Sequence, residues 1–231
     1  MKIIALDSSG LVASVAVMEE GNMIGEYTVH HKKTHSQTLL PMLDEVVRMI
    51  GLDLHTIDGI AIASGPGSFT GLRIGSATVK GLGMALDKPI IEVPTLEALA
   101  YNIYGTERLI CPIMDARRGQ VYTGVYEWKD TEFRTVMEQS AVSVEELIQI
   151  LSSYQRPVIF LGDGVPVYQE KLLELLHTNI IFAPPHLLRQ RAGAVAARGL
   201  YYLNSNKTVT ACEHRPEYLR LSQAERERLE K

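Results

Sequence analysis

The residues best placed to do chemistry lie in a glycine-rich run and after two strand-like segments. The run reads GPGSFTG at residues 65–71, between an apolar segment and a long segment almost free of charge. A strand, a glycine-rich turn and a helix N-terminus together present backbone N–H groups to an anion. Gly65, Gly67, Ser68 and Thr70 are therefore candidate contacts for a phosphate group or for a partner. A tight strand-to-helix connection without a ligand has the same pattern.

Two common phosphate-binding fingerprints do not match this run. No Gly-Lys-Ser/Thr follows the second glycine cluster, so it is not a Walker A loop. Gly65 and Gly67 have the spacing of the dinucleotide fingerprint, but Thr70 stands where its third glycine belongs. A phosphate site at this run therefore needs a different architecture.

Two aspartates end strand-like segments and form the second candidate set. Asp7 follows an apolar run near the N-terminus, and Asp115 follows a similar run in the middle of the chain. Arg117 and Arg118 come next, and their guanidinium groups suit a partner's acidic surface or RNA phosphates. Aspartate also commonly begins turns, and a charged hairpin turn in water is the alternative for all four residues.

The histidines and cysteines do not predict a metal site. His30, His31 and His35 cluster at a strand–helix junction with no acidic or cysteine partner nearby, and the other four histidines are scattered. Cys111 and Cys212 lie far apart, without the spacing of metal ligands or of a disulfide framework. We therefore expect no bound metal and a reducing compartment.

Composition limits the partners. The 231 residues are 46% hydrophobic and 22% charged, with a net charge of −4. This balance argues against strong unaided binding to a polyanion, although it leaves room for a local basic patch. The N-terminal apolar run is too short for a signal peptide, and no stretch approaches the ~20 apolar residues of a membrane span. We expect a soluble cytoplasmic protein without a membrane partner.

The order of elements repeats once along the chain. Three strand-like runs, a helix, a strand, a helix, a strand and a helix are predicted in the first half, and the same order in the second. We therefore predict an α/β fold of two similar lobes with a duplicated βββαβαβα order. The first lobe covers residues 1–104, the second 105–204, and a polar tail 205–231.

A duplicated lobe of this order resembles the actin-like ATPase (ribonuclease H-like) superfamily. Members hold a nucleotide between the lobes, with an acidic residue at the end of each first strand, and Asp7 and Asp115 occupy those positions. The resemblance allows one functional alternative, a self-sufficient ATPase or kinase that uses these two aspartates.

The predicted helix over 71–86 has an unusual surface. Arg73 and Lys80 are its only charged residues, and Ala77, Gly81 and Ala85 form a row of small residues at helical spacing. Such a helix is not expected to face water. Either the protein's own elements bury this helix on all sides, or a partner covers the face that the sheet leaves open. We favour the partner, with a helix of another chain packed against the small-residue row.

Several motifs together resemble the TsaB (YeaZ-type) family, which acts in the synthesis of threonylcarbamoyladenosine in tRNA. They read IALDSS at 4–9, GPGSFTGLRIG at 65–75, MDARRGQVY at 114–122 and PEYLR at 216–220. The resemblance implies a non-catalytic subunit, required to modify the adenosine next to the anticodon, that pairs with a TsaD-type catalytic subunit. It further implies a TsaE-type ATPase in the same assembly, indirect contact with tRNA through the complex, and no cofactor. For the isolated chain, both a monomer and a homodimer remain open.

TsaD-type proteins bind metal through a His-x-x-x-His motif, and this chain has Thr95 and Leu99 at the corresponding positions. Leucine cannot bind a metal, so a metal-dependent peptidase is disfavoured and no catalytic residue is predicted. By resemblance, the two apolar helices form the partner interface. Its candidate residues are Leu39, Met42, Val46, Arg73, Gly75, Ala77, Thr78, Gly81 and Ala85.

Overall fold

A computed structural model describes residues 1–31, 34–177 and 179–220. The first half contains β1 (Lys2–Asp7), β2 (Ala13–Glu19), β3 (Asn22–Val29), α1 (His35–Ile50), β4 (Gly59–Gly65), α2 (Phe69–Leu86), β5 (Ile90–Pro94) and α3 (Thr95–Ala100), with a short 3₁₀ turn at Leu54–Thr56. The second half contains β6 (Leu109–Arg117), β7 (Gln120–Lys129), β8 (Glu132–Ser143), α4 (Val144–Tyr154), β9 (Val158–Leu161), α5 (Val165–Leu175), β10 (Ile180–Phe182) and α6 (Ala192–Asn204).

The two halves build sheets of the same topology. The first has the order β3-β2-β1-β4-β5 and the second the order β8-β7-β6-β9-β10. In each, the first three strands pair antiparallel and the last two add in parallel. The predicted two-lobed α/β fold with its duplicated βββαβαβα order is therefore confirmed.

Helices cover both faces of each sheet. On the outer face of the first sheet, α1 and α2 bury residues such as Leu43 and Val79, and on that of the second sheet α4 and α5 bury Leu147 and Leu172. Between the sheets, α6 packs mainly on the first and α3 mainly on the second. The two middle helices thus each cover the sheet of the other half, which joins the lobes through apolar contacts.

The last helix differs from the expectation in two ways. It begins at Ala192, whereas the sequence pattern predicts a helix over 185–204, because residues 185–189 form turns before buried Gln190. It also lies on the first sheet, where Ala192, Val195 and Ala196 contact strand residues of β1, β2 and β4. Sequence order alone placed this helix with the second lobe.

Residues 209–220, which we call the C-terminal strap, run from the first lobe to the second. The backbones of Val209 and Ile90 exchange two hydrogen bonds of 2.9 Å, so the strap begins at the edge of the first sheet. At its other end, Arg220 donates to the carbonyl oxygen of Ala116 in the second lobe, at 2.7 Å. The predicted polar tail is thus packed as far as residue 220, and residues 221–231 lie outside the described part. Among the described helices, none combines the length and apolarity needed to cross a bilayer.

Candidate functional site

The glycine-rich run packs directly on the turn that follows β1. A Cβ atom added to Gly67 would lie 2.4 Å from the carbonyl oxygen of Ser9, and one added to Gly71 would lie 2.0 Å from that of Ser8. At Gly75 it would lie 2.4 Å from the hydroxyl oxygen of Ser8. The chain's own backbone therefore fills the space on which the expected phosphate cradle depended. The glycines serve close packing between α2 and this turn.

The polar groups of the run also have partners within the chain. The Ser68 N–H donates to the carbonyl oxygen of Ser9 at 2.7 Å, and the Ser68 hydroxyl caps α2 by accepting from the Gly71 N–H at 3.3 Å. The Gly65 N–H donates to the Thr95 hydroxyl at 3.0 Å. Thr70 is exposed in the first turn of α2.

Asp7 is buried, with 1% of its surface exposed. Its Oδ1 atom accepts from the Ser9 N–H at 2.9 Å and from the Ser9 hydroxyl at 2.7 Å. Burial raises the pKa of Asp7 to about 6, against the opposing effects of the Ser9 hydrogen bonds and of His35. His35 contributes its Nε2 atom to a 2.8 Å contact with the carbonyl oxygen of Gly10, on the same turn. Asp7 thus organises the turn on which α2 packs.

Asp115 is exposed and holds the β6–β7 hairpin. Its Oδ1 atom accepts from the Arg117 N–H at 2.9 Å and from the Tyr168 hydroxyl at 3.1 Å. Burial and the bond to Asp115 raise the pKa of Tyr168 to about 12. The Asp115 N–H in turn donates to Asp163 at 3.2 Å. Equivalent positions in the two lobes therefore hold carboxylates with different exposure and different partners.

The tip of this hairpin carries Arg117 and Arg118 in the left-handed backbone region. Their φ angles are 63° and 58°, and that of Gly119 is 71°. Arg118 and Gly119 form the two-residue loop between paired Arg117 and Gln120, where Asn-Gly is the favoured sequence. Both arginines are exposed, and within the described residues neither guanidinium group has a hydrogen bond or an ion pair.

The outer face of α2 carries the row of small residues for which the sequence analysis expected a covering partner. Ala77, Gly81 and Ala85 are all exposed, and a Cβ atom added to Gly81 would meet no atom within 4 Å. Thr78 is half-buried beside them. Met84 extends the same face with 69% of its surface exposed, although the sequence analysis missed it. Its position, three residues after Gly81, was a signal that helical spacing could have used.

Four predicted interface residues point inward instead. Leu39, Met42 and Val46 belong to the core between α1 and the first sheet, with 1%, 5% and 6% of their surfaces exposed. Gly75 is buried against Ser8. The prediction that these residues are available to a partner is wrong, because α1 packs these side chains against its own sheet and Gly75 faces the turn after β1. The solvent side of α1 carries Leu40, which is 50% exposed.

At the N-terminal end of α2, the strap lies over the helix. The rings of Phe69 and Tyr218 stack with centroids 4.2 Å apart, and the Nε atom of Arg73 donates to the Tyr218 hydroxyl at 3.3 Å. Next to Tyr218 in the strap, the carboxylate of Glu217 accepts from Gln139 of β8 at 2.5 Å. The same Gln139 amide donates to the carbonyl oxygen of Gly65 at 3.3 Å. The strap and β8 thereby connect the two lobes at this edge.

Thr95 and Leu99, which the resemblance places at the positions of the metal-binding histidines of TsaD-type proteins, are both buried. The Thr95 hydroxyl accepts a hydrogen bond from the Gly65 N–H, and Leu99 is 1% exposed in the core between α3 and the second sheet. Within 1–31, 34–177 and 179–220, no group of three His, Cys, Asp or Glu side chains is arranged to hold a metal ion.

The two lobes of equal topology, with helices between and outside the sheets, define a two-lobed fold of the actin-like class. Consistent with this class, the structure is similar to the ROK hexokinase of Thermus thermophilus, with a TM-score of 0.51 and 11% identity over 89% of this chain and 100% of that one. This likeness concerns the fold alone.

Closer relatives identify the family. A family model described as TsaD, tRNA N6-adenosine threonylcarbamoyltransferase, matches residues 24–228. The tRNA threonylcarbamoyladenosine biosynthesis protein TsaB of Bacillus subtilis is 34% identical over 226 residues, covering 97% of this chain and 96% of its own. A Pseudomonas aeruginosa structure, described as similar to the peptidase YeaZ, superposes with a TM-score of 0.82 at 28% identity, over 95% of this chain and 99% of that one. The chain belongs to the TsaB family.

Proposed function

We propose that this protein is a non-catalytic subunit in the synthesis of threonylcarbamoyladenosine in tRNA, and that it pairs with a TsaD-type catalytic subunit through the outer face of α2. The observation that carries the pairing is the exposed row of Ala77, Gly81, Met84 and Ala85, without an acidic residue and with room for a second helix. Arg73 and Thr78 border this row, and Leu40 of neighbouring α1 adds exposed apolar surface.

Small residues suit this purpose because they let a second backbone approach closely. Glycine in the middle of a helix is unfavourable by up to about 1 kcal/mol relative to alanine. At Gly81 the described chain offers no packing reason for it, since an added Cβ would project into open space. Gly71 and Gly75 differ, because the Ser8–Ser9 turn requires both. A close approach by another chain supplies the reason that Gly81 lacks within the molecule.

The non-catalytic part of the proposal is supported by residue types. Thr95 and Leu99 replace a histidine pair and are buried in internal contacts. The alternative is an ATPase or kinase that uses Asp7 and Asp115. Two observations weaken it: Asp7 is buried and accepts hydrogen bonds from Ser9, and the glycine-rich run contacts the turn at Ser8 and Ser9. Titration with ATP and magnesium tests it: micromolar binding and turnover that are lost in Asp7→Ala would establish this alternative.

The resemblance supplies the wider assembly. We propose that a TsaE-type ATPase joins the same complex, that the complex works in the cytoplasm, and that the isolated chain forms a homodimer through the same face of α2. These proposals predict that one substitution on this face disturbs both the heterodimer and the homodimer.

The first prediction concerns Gly81→Glu. The new carboxylate has room in the monomer, so folding is retained, whereas an apolar interface would bury it unpaired. We expect at least a 100-fold weaker affinity for the TsaD-type protein of the same cell, measured by titration calorimetry, with a melting temperature at or above that of the parent.

The matched control is Gln149→Glu, which adds a negative charge on the exposed side of α4 in the second lobe. It should pair like the parent. A well-folded Gly81→Glu protein that binds its partner with unchanged affinity would show that this interface is assigned to the wrong surface.

A further inference from the structure

A line of arginine and tyrosine side chains crosses both lobes at the edge where β1 and β6 end. It starts at Arg73 on α2, whose Nε atom bonds the Tyr218 hydroxyl. Two residues later in the strap, Arg220 donates to the carbonyl oxygen of Ala116, and Arg117 and Arg118 follow directly in the hairpin. We call these five residues, Arg73, Tyr218, Arg220, Arg117 and Arg118, the basic ridge.

We propose that the basic ridge contacts the phosphate backbone of an RNA, with Arg117 and Arg118 as its principal phosphate ligands. The inference rests on the proposed function, which places the protein in a tRNA-modifying assembly, and it goes beyond the indirect tRNA contact that the resemblance implies. Through the basic ridge, the subunit would bind directly to the RNA that its partner modifies.

The hairpin is held rigidly while its arginine heads remain free. Asp115 accepts from the Arg117 N–H and the Tyr168 hydroxyl, Asp163 accepts from the Asp115 N–H, and Arg220 binds Ala116 from the strap side. A fixed backbone reduces the entropy lost when the side chains bind. The carboxylates of Asp115 and Asp163 accept hydrogen bonds from uncharged donors of the chain, and these bonds fix the backbone of the hairpin.

The backbone at the tip is unfavourable for arginine. A non-glycine residue in the left-handed region is disfavoured, and asparagine or glycine relieves the strain. Strained residues that persist in such positions are concentrated at functional sites. Other turns of the chain, such as those at Glu20 and Asp130, also hold a non-glycine residue at positive φ, but this hairpin holds two consecutive arginines there, and both guanidinium groups are exposed to an external anion.

Several observations favour RNA over an acidic protein segment. A guanidinium group matches a phosphate with two parallel hydrogen bonds. Tyr218, with 37% of its surface exposed and backed by Phe69, offers a ring beside the arginines on which an unpaired base can stack. The proposed TsaD-type partner binds the apolar outer face of α2, so it does not need the arginines as its contact surface.

The test compares two double variants that remove the same charge. Arg117→Asn/Arg118→Asn places asparagine where the backbone favours it, so the hairpin should be as stable as in the parent or more stable. The control, Lys129→Ala/Arg134→Ala, removes two exposed cations at the other end of the same β7–β8 ribbon, about 30 Å away along β7. Binding of the full-length chain to a labelled tRNA transcript is measured by fluorescence anisotropy between 25 and 200 mM salt.

We expect the asparagine variant to bind tRNA at least 10-fold more weakly at 50 mM salt, with a slope of log K against log salt smaller by about 1.4, while the control changes less than twofold. The melting temperature of the asparagine variant should not be lower than that of the parent. Three results would overturn the proposal: no measurable binding by the parent, equal loss in both double variants, or unchanged tRNA binding with lost affinity for the TsaD-type protein. The last result would assign the arginines to an acidic protein surface.

The test separates this inference from the proposed function. If the asparagine variant still pairs with the TsaD-type protein and tRNA binding is unaffected, only the basic ridge is wrong. If the Gly81→Glu protein pairs normally, the interface on α2 is wrong, whatever the ridge does.

Discussion

At the scale of single residues, the two aspartates show that equivalent positions in two similar lobes can have different chemical environments. Asp7 and Asp115 follow the first strands of two equivalent lobes, yet Asp7 is buried under the α2 packing and Asp115 is exposed on a hairpin. Asp7 holds the backbone of Ser9, and Asp115 holds the backbone of Arg117. Asp7 therefore stabilises the turn on which α2 packs, and Asp115 stabilises the hairpin that carries part of the basic ridge.

Burial of Asp7 leads to a prediction about pH. Because the pKa rises from 3.8 to about 6 on folding, the native state holds the proton more tightly. Stability from this group is fully present below pH 4 and is lost as pH rises through 6. Asp7→Asn does not ionise and can keep the bonds to Ser9, so it should unfold with a free energy higher by about 2–3 kcal/mol at pH 7.5. The difference should shrink towards pH 5 in urea denaturation, and a difference that is constant from pH 5 to 8 would contradict burial of an ionised carboxylate as its cause.

At the scale of elements, α2 has two faces that use small residues for different reasons. Gly71 and Gly75 admit the Ser8–Ser9 turn on the inner side, whereas Gly81 lies on the outer side against no atom of the described chain. The sequence does not tell which of these glycines lies on which side. Only their contacts distinguish a packing requirement from a free surface.

A pair of alanine substitutions tests this distinction. Gly71→Ala would place a methyl group 2.0 Å from the Ser8 carbonyl oxygen, a backbone atom, and should lower the free energy of unfolding by at least about 2 kcal/mol. Gly81→Ala has room and improves helix propensity, so it should raise that free energy by up to about 1 kcal/mol. Chemical denaturation measures both, and changes of equal sign would refute the assignment of the two faces.

At the scale of the whole molecule, the two lobes are joined through the helices between them. Glu97 on α3 and Arg198 on α6 form a buried ion pair, in which the Nε atom of Arg198 donates to Glu97 at 2.6 Å. Tyr202 donates its hydroxyl to the other carboxylate oxygen at 2.6 Å, and the Arg198 head lies 4.4 Å from the ring centroid of Tyr201. Since α3 lies mainly on the second sheet and α6 on the first, this cluster ties the lobes together.

Removal of one charge from this pair should be strongly destabilising. Glu97→Ala leaves the Arg198 guanidinium buried without its counter-ion, and we expect a loss of about 3 kcal/mol in the free energy of unfolding. Glu97→Ala/Arg198→Met replaces both charges with apolar groups and should recover at least half of that loss. If the double variant is as unstable as Glu97→Ala, the defect lies in packing rather than in the unpaired charge. Urea denaturation of the three proteins supplies the comparison.

Much of this architecture follows from sequence because its causes are local. Apolar runs, turn residues and helical spacing are properties of neighbouring residues, and they give the duplicated order of strands and helices with small errors at the ends. The row formed by Ala77, Gly81 and Ala85 follows from helical spacing, but the low charge of this helix fits burial within the chain as well as a partner-covered face, and only the structure shows that the row is exposed. The motifs that carry the TsaB resemblance are contiguous segments for the same reason.

Other features depend on which parts of the chain meet across long distances, and only the tertiary structure decides them. The Ser8–Ser9 turn fills the space around Gly67 and Gly71 because β1 pairs with β4. Leu39 and Met42 are buried because α1 turns that stripe towards its own sheet, although its periodicity fits either side. The strap brings Arg220 to the Ala116–Arg118 hairpin, a contact between residues about a hundred positions apart. Periodicity determines that a face exists, whereas packing against distant segments determines which face remains open to a partner.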